Sequence, residues 1–195
     1  MHGLINKSFQ CFVTDTYGHP LWREVAQKAA PGLEQFEALV IYPDDVTSRV
    51  IDTACQLLDK PAAEVLEDLG NYLVTHENLE PVRRLLRFGG TSFVEFLYSL
   101  DDLHDRARLA VPDLQLPKLA LSDLSGGVFE LECSYSVPGF GHVLLGVLRT
   151  MADDYGDLVY LEHLGSEESL EKVRITLLET QFAEGRAFEL AVSRV

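Results

Sequence analysis

A single histidine offers the most specific chemistry in this chain. Between Phe93 and Ala110, the residues Phe93, Phe96, Leu97, Leu100, Leu103 and Ala107 recur at three- and four-residue steps. That is the stripe of an amphipathic helix, with Glu95, Asp101, Asp105 and Arg108 largely opposite. His104 falls inside the stripe, so its imidazole is expected to point inward, where it needs a partner. Two chemistries supply one. The ring can bond a backbone carbonyl, as ordinary core histidines do, or it can be the lone axial ligand to a metal in an apolar cavity, which takes a neutral imidazole held by its other nitrogen. Spacing alone favours the first.

Other reactive constellations lack their residues. The chain has no P-loop, no GxGxxG after a strand, no HExxH and no GxSxG elbow. The acidic pairs Asp44/Asp45, Asp101/Asp102, Asp153/Asp154 and Glu167/Glu168 are adjacent, and neighbours on a helix point about 100 degrees apart, so they read as solvated charge. His2, His19, His76, His142 and His163 have no ligand spacing and read as surface or turn residues. Arg83, Arg84 and Arg87 read first as a solvated face, with a site for an anion or carboxylate as the other reading. Cys11, Cys55 and Cys133 are odd in number and far apart, which indicates neither a disulfide framework nor a thiolate zinc site and fits a reducing cytoplasm. No catalytic set emerges, so an enzyme is not expected.

The elements that must hold His104 follow from patterning. With 195 residues, 47% of them hydrophobic, the chain is long enough for a real core. A formal net charge of -15 argues against nucleic-acid binding, which needs clustered Lys and Arg. No run approaches the length of a membrane span and the N-terminus has no leader pattern, so a cytoplasmic, non-membrane protein is expected. Helical faces run through Gly3 to Val13, Pro20 to Ala30, a segment capped by Asp45 and carrying Val50 to Leu58, another starting at Pro61, and Leu79 to Phe88. After Pro112 the period changes. A strand near 116–121, a Ser125-Gly126-Gly127 turn and a strand from Val128 to Ser136 precede a helix through Val143 to Met151. Strands follow at Leu158 to Leu164 and Val173 to Thr180, and Phe188 to Val192 is a further strand or a tail. The order predicts an α+β fold: a helical N-terminal subdomain, then a long helix and a small antiparallel sheet ordered β-β-α-β-β.

Several stretches together resemble the H-NOX family, the haem nitric oxide/oxygen binding domains related to the sensor of soluble guanylate cyclase. They are Met1-His2-Gly3-Leu4-Ile5-Asn6, the run from Phe96 to Leu103-His104-Asp105, Leu116-Pro117, and Gly139-Phe140 to Gly146-Val147-Leu148. The resemblance spans residues 1 to about 180. It implies one domain over 1–182, with a distal helical part at about 1–60 and a proximal part at about 61–182. It implies haem b (iron protoporphyrin IX), with His104 as its sole protein ligand to iron and Leu100 one turn before it. Pro117 matches the proline that presses on the porphyrin, and Ile5 and Phe9 match positions on the distal side. Val143 stands where oxygen-binding members carry a tyrosine, which implies preference for nitric oxide. The family's Y-x-S-x-R, which holds the haem propionates, is replaced by Cys133, Tyr135 and Val137, leaving Tyr135 one hydroxyl. The implied function is a gas sensor for nitric oxide or another diatomic, signalling to a separate protein such as a histidine kinase or a cyclic-di-GMP enzyme. The other reading is a haem-free scaffold of the same fold, or a binder of another apolar ligand.

Overall fold

The computed structural model describes residues 1–167 and 169–186; the expected element at Phe188 to Val192 lies outside them. The N-terminal helices are α1 (Gly3–Tyr17), α2 (His19–Ala29), α3 (Asp44–Leu58) and α4 (Ala62–Thr75). His2, buried rather than exposed, caps α1 by accepting from the Leu4 N–H at 3.2 Å. α3 starts two residues early: Pro43 is its cap, so Asp44 and Asp45 both sit in the first turn, where carboxylates suit the positive helix end.

A 3₁₀ turn at Glu77–Leu79 leads to α5 (Glu80–Arg87), α6 (Phe93–Tyr98) and α7 (Leu103–Ala110). The helix expected from 93 to 110 is thus divided. Ser99 ends α6, with its hydroxyl donating to the Phe96 carbonyl at 2.7 Å, and Arg106 reaches back to donate to the Ser99 carbonyl at 2.7 Å. The intervening backbone makes tight i to i+3 bonds, Leu100 N–H to Leu97 and Leu103 N–H to Leu100. No Gly or Pro marks this break, and it re-aims His104 relative to the α6 stripe.

The second half is β1 (Lys118–Asp123), β2 (Val128–Ser134), α8 (Phe140–Tyr155), β3 (Leu158–Glu167) and β4 (Leu170–Glu179). The strands form one antiparallel sheet in the order β1-β2-β4-β3. Alternate residues Phe129, Leu131 and Cys133 on β2 and Val173 and Ile175 on β4 are buried, beneath α8 and α6. Glu171 continues that buried face, and its carboxylate accepts the Gly139 and Gly141 N–H groups at the start of α8, at 2.8 and 3.2 Å.

Two apolar clusters result. One unites α1, α2, α3 and one face of α4; the other unites α6, α8 and the sheet, and Phe140 packs against both. α4 and α8 join the halves at very short range. A Cβ on Gly70 would fall 2.0 Å from the Val143 carbonyl oxygen, and one on Gly146 2.0 Å from that of Glu67, so only glycine admits this approach. Among the described residues, no helix is long and apolar enough to cross a membrane.

Candidate functional site

His104 opens α7 and its Nδ1 lies 3.1 Å from the Leu116 carbonyl oxygen, just before β1. A carbonyl only accepts, so Nδ1 carries a proton, and the tautomer compatible with this bond leaves Nε2 as the ring's lone-pair nitrogen. That is the tautomer a metal ligand requires, held by the bond that fixes such rings. The same bond also satisfies an ordinary core histidine, so the surroundings decide. His104 is half-buried and borders an open groove of about 870 Å³, shared with Met1, Arg108, Leu116, Lys118 and Tyr135.

Beyond Met1 and Tyr135 lies a second space, a cavity of about 40 Å³. Its lining includes Ile5 and Phe9 from α1, Val50 from α3, Leu66 from α4 and Val143 from α8. Both spaces are lined by Met1 and Tyr135, which form their common wall. The Tyr135 hydroxyl donates to the Gln115 carbonyl at 2.9 Å and lies 3.0 Å from Met1 Sδ, while its ring packs edge-on against Phe140. Burial, then the nearby Asp44 and Cys133, push the Tyr135 pKa up, so it remains a neutral donor.

The fold therefore brings Ile5, Phe9, Val143 and Tyr135 to one cavity and His104 to the adjoining groove. Leu100 and Pro117 are buried but border neither space. Cys133 faces the core, and burial, reinforced by Glu171, pushes its pKa up to about 12, so it is a thiol and supplies no charge. Val137 lines the apolar cavity. Arg83 is not on a solvated face: it makes a two-pronged bond to Asp154, itself 2% exposed, at 2.7 and 3.1 Å, and Arg87 lies beside the same carboxylate. Arg149 pairs with Glu67. Among the described residues, the Arg and Lys side chains that border the His104 groove are Arg108 and Lys118. Sequence patterning set Arg108 opposite the stripe, although its spacing of four from His104 on a helix was the available signal. It also passed over Asn6 and Thr47, both buried and both lining the cavity.

Comparison with known proteins decides what the arrangement is. Residues 2–163 match the family model described as Haem-NO-binding. The chain belongs to that family, the H-NOX family. Soluble guanylate cyclase 89Da of Drosophila melanogaster is 22% identical over 155 residues, 80% of this chain and 23% of that protein. Soluble guanylate cyclase gcy-31 of Caenorhabditis elegans is 23% identical over 171 residues, 87% of this chain and 24% of that protein. The chain thus spans about a quarter of the length of these relatives. An Fe(II) unliganded H-NOX protein mutant from K. algicida superposes with a TM-score of 0.76 at 17% identity, covering 92% of this chain and 97% of that one. The H-NOX fold, helices with a four-stranded antiparallel sheet, is the one expected, and the family is one of binding domains rather than catalysts.

The donor set suits the family's group. His104 offers a bare Nε2, the cavity wall of Ile5, Phe9 and Val143 is apolar, and Arg108 and Lys118 border the groove. The cavity itself admits only a ligand of a few atoms, since one water needs roughly 10 to 15 Å³ and drug-sized ligands about 300 Å³ or more. Met1 and Tyr135 stand between this cavity and the larger groove that His104 borders.

Proposed function

We propose that this chain binds haem b through His104 and senses a diatomic gas such as nitric oxide. The bare Nε2 of an imidazole locked to the Leu116 carbonyl carries the reading. When bound, haem supplies a ferrous iron that takes up small gases. The chain's own residues do the rest. His104 would anchor the group to α7, and Ile5, Phe9 and Val143 would give it an apolar, water-excluding wall beyond Met1 and Tyr135. α7 also presents Leu109, 88% exposed, so a displacement of His104 moves an apolar surface residue on the same short helix. That supports transmission to a separate signalling protein, of the histidine kinase or cyclic-di-GMP enzyme kind. A unit over 1–182 with distal (about 1–60) and proximal (about 61–182) parts, working in the cytoplasm, belongs to the same reading.

The test is an absorption spectrum of protein expressed with haem available. The expected result is a Soret band that shifts with nitric oxide and is lost in His104→Ala. The small cavity and the intact Met1–Tyr135 wall favour one alternative, a haem-free module holding a small apolar ligand. A colourless protein under those conditions selects it.

A further inference from the structure

The sheet has two edges, and the chain treats them differently. β1, six residues long, is guarded: the outward Leu121 N–H is taken by the Asp101 carboxylate at 2.9 Å, and the Tyr98 hydroxyl donates to Asp123 at the end of the strand at 2.6 Å. β3, ten residues long, pairs only with β4 among the described residues, so alternate N–H and C=O groups along its other side meet no strand. Irregularities at Leu158/Val159 and His163/Gly165 leave 159–163 as its regular run. β3 contains no Lys, Arg or Pro, the usual guards of an open edge. Val159 and Leu161 pack towards the core and are half-buried, which turns Leu158, Tyr160 and Glu162 to the outer face, where Tyr160 is 54% exposed. On the neighbouring strands of that face, Glu130 and Glu132 are paired with Lys172 and Arg174. Glu162 and Glu167 of β3 have no ion pair among the described residues.

We propose that the β3 edge is a docking strand for an extended segment of a partner protein in which Lys or Arg alternates with aliphatic residues. Such a segment adds one strand to the sheet and satisfies the open N–H and C=O groups. Its cations lie on the outer face, with their stems over Tyr160 and their charges at Glu162, and its aliphatic side chains lie on the core face beside Val159 and Leu161. A second copy of this chain fits less well, because it brings the same unpaired carboxylates and a net charge of -15 to the contact.

Docking at β3 needs no haem, so the full chain is tested as expressed. Labelled with nitrogen-15, it is titrated with a short peptide of alternating lysine and valine, and with the same peptide carrying proline in place of its central valine. The expected result is a set of amide shifts concentrated at 158–164, with hydrogen exchange slowed there and an affinity that falls as salt is raised. The proline peptide, which cannot pair as a strand, is expected to bind roughly tenfold more weakly. A similar loss, about tenfold, is expected for the lysine–valine peptide with Tyr160→Lys/Glu162→Lys, whose substitutions lie on the outer face. Equal binding of the two peptides, shifts scattered over the acidic surface, or no shift at millimolar peptide overturns the proposal. So does a parent chain whose outward β3 amides exchange slowly before any peptide is added: sedimentation at twice the monomer mass then gives the edge to a second copy, and at the monomer mass to residues 187–195 of the chain itself.

Discussion

Gly146→Ala separates two opposed effects, local helix preference and helix–helix distance. Alanine is favoured over glycine inside a helix by about 1 kcal/mol, so on local grounds the substitution stabilises α8. The new methyl, however, lies 2.0 Å from the Glu67 carbonyl oxygen and 2.8 Å from the Asn71 nitrogen of α4. Ordinary contact begins near 3.4 Å, and both neighbours are backbone atoms of a helix, which cannot rotate away. The two axes must therefore part by about an ångström, opening the seam between Val143 on one side and Leu66 and Leu69 on the other. Overpacking of this kind costs about 1–3 kcal/mol and sometimes more; with backbone as the obstacle the upper end applies, leaving a net loss of about 2 kcal/mol. For a chain of this size that lowers the Tm by roughly 4–8 °C. Urea unfolding followed by far-UV circular dichroism measures it, with the m-value unchanged if only stability moves. A Gly146→Ala protein as stable as the parent, or more stable by the helix term alone, would refute the close approach. Gly70→Ala meets the Val143 carbonyl across the same seam, and once the helices have parted the second methyl costs less, so the double variant loses less than the sum.

Other measurements probe separate parts of the fold. Arg83→Met leaves the Asp154 carboxylate buried with part of its pairing gone and is expected to destabilise by about 3 kcal/mol, whereas Arg83→Met/Asp154→Leu recovers much of that loss; a double-variant loss equal to the sum of the Arg83→Met and Asp154→Leu losses would mean the pair is not coupled. Burial, then the stacked His163 ring, lowers the His142 pKa below 6.5, with Glu171 and Glu67 acting in the opposite sense. On acidification the unfolded chain takes up that proton first, so the stability His142 contributes is complete above pH 6.5 and is lost as pH falls through the lowered folded value. His142→Gln should flatten stability across that window, and an unchanged slope in urea midpoints from pH 7 to pH 5 would contradict it. Cys133, 1% exposed with its thiol pushed up to about 12, is expected to resist iodoacetamide at neutral pH until the protein unfolds, as mass spectrometry of labelled peptides would show.

Periodicity alone determined much of the architecture. The 3.6-residue spacing of apolar residues located the helices, the change of period after Pro112 located the sheet, and the short motifs around His104 and from Gly139 to Leu148 carried the family, because these signals lie within one turn or one strand of each other. Tertiary structure decided what depends on residues far apart in the chain. The break between α6 and α7 is held by Arg106 reaching the Ser99 carbonyl, a contact with no Gly or Pro to announce it. Asp154 and Glu171 are buried because Arg83 in one case, and the first amides of α8 in the other, meet them across 71 and 30 to 32 residues. Asn6 and Thr47 lie 41 residues apart, yet their side chains share one cavity wall. A hydrogen bond or a cavity is a relation between surfaces that only packing brings together, so the pattern of one segment can announce a helix but not the group that will face it.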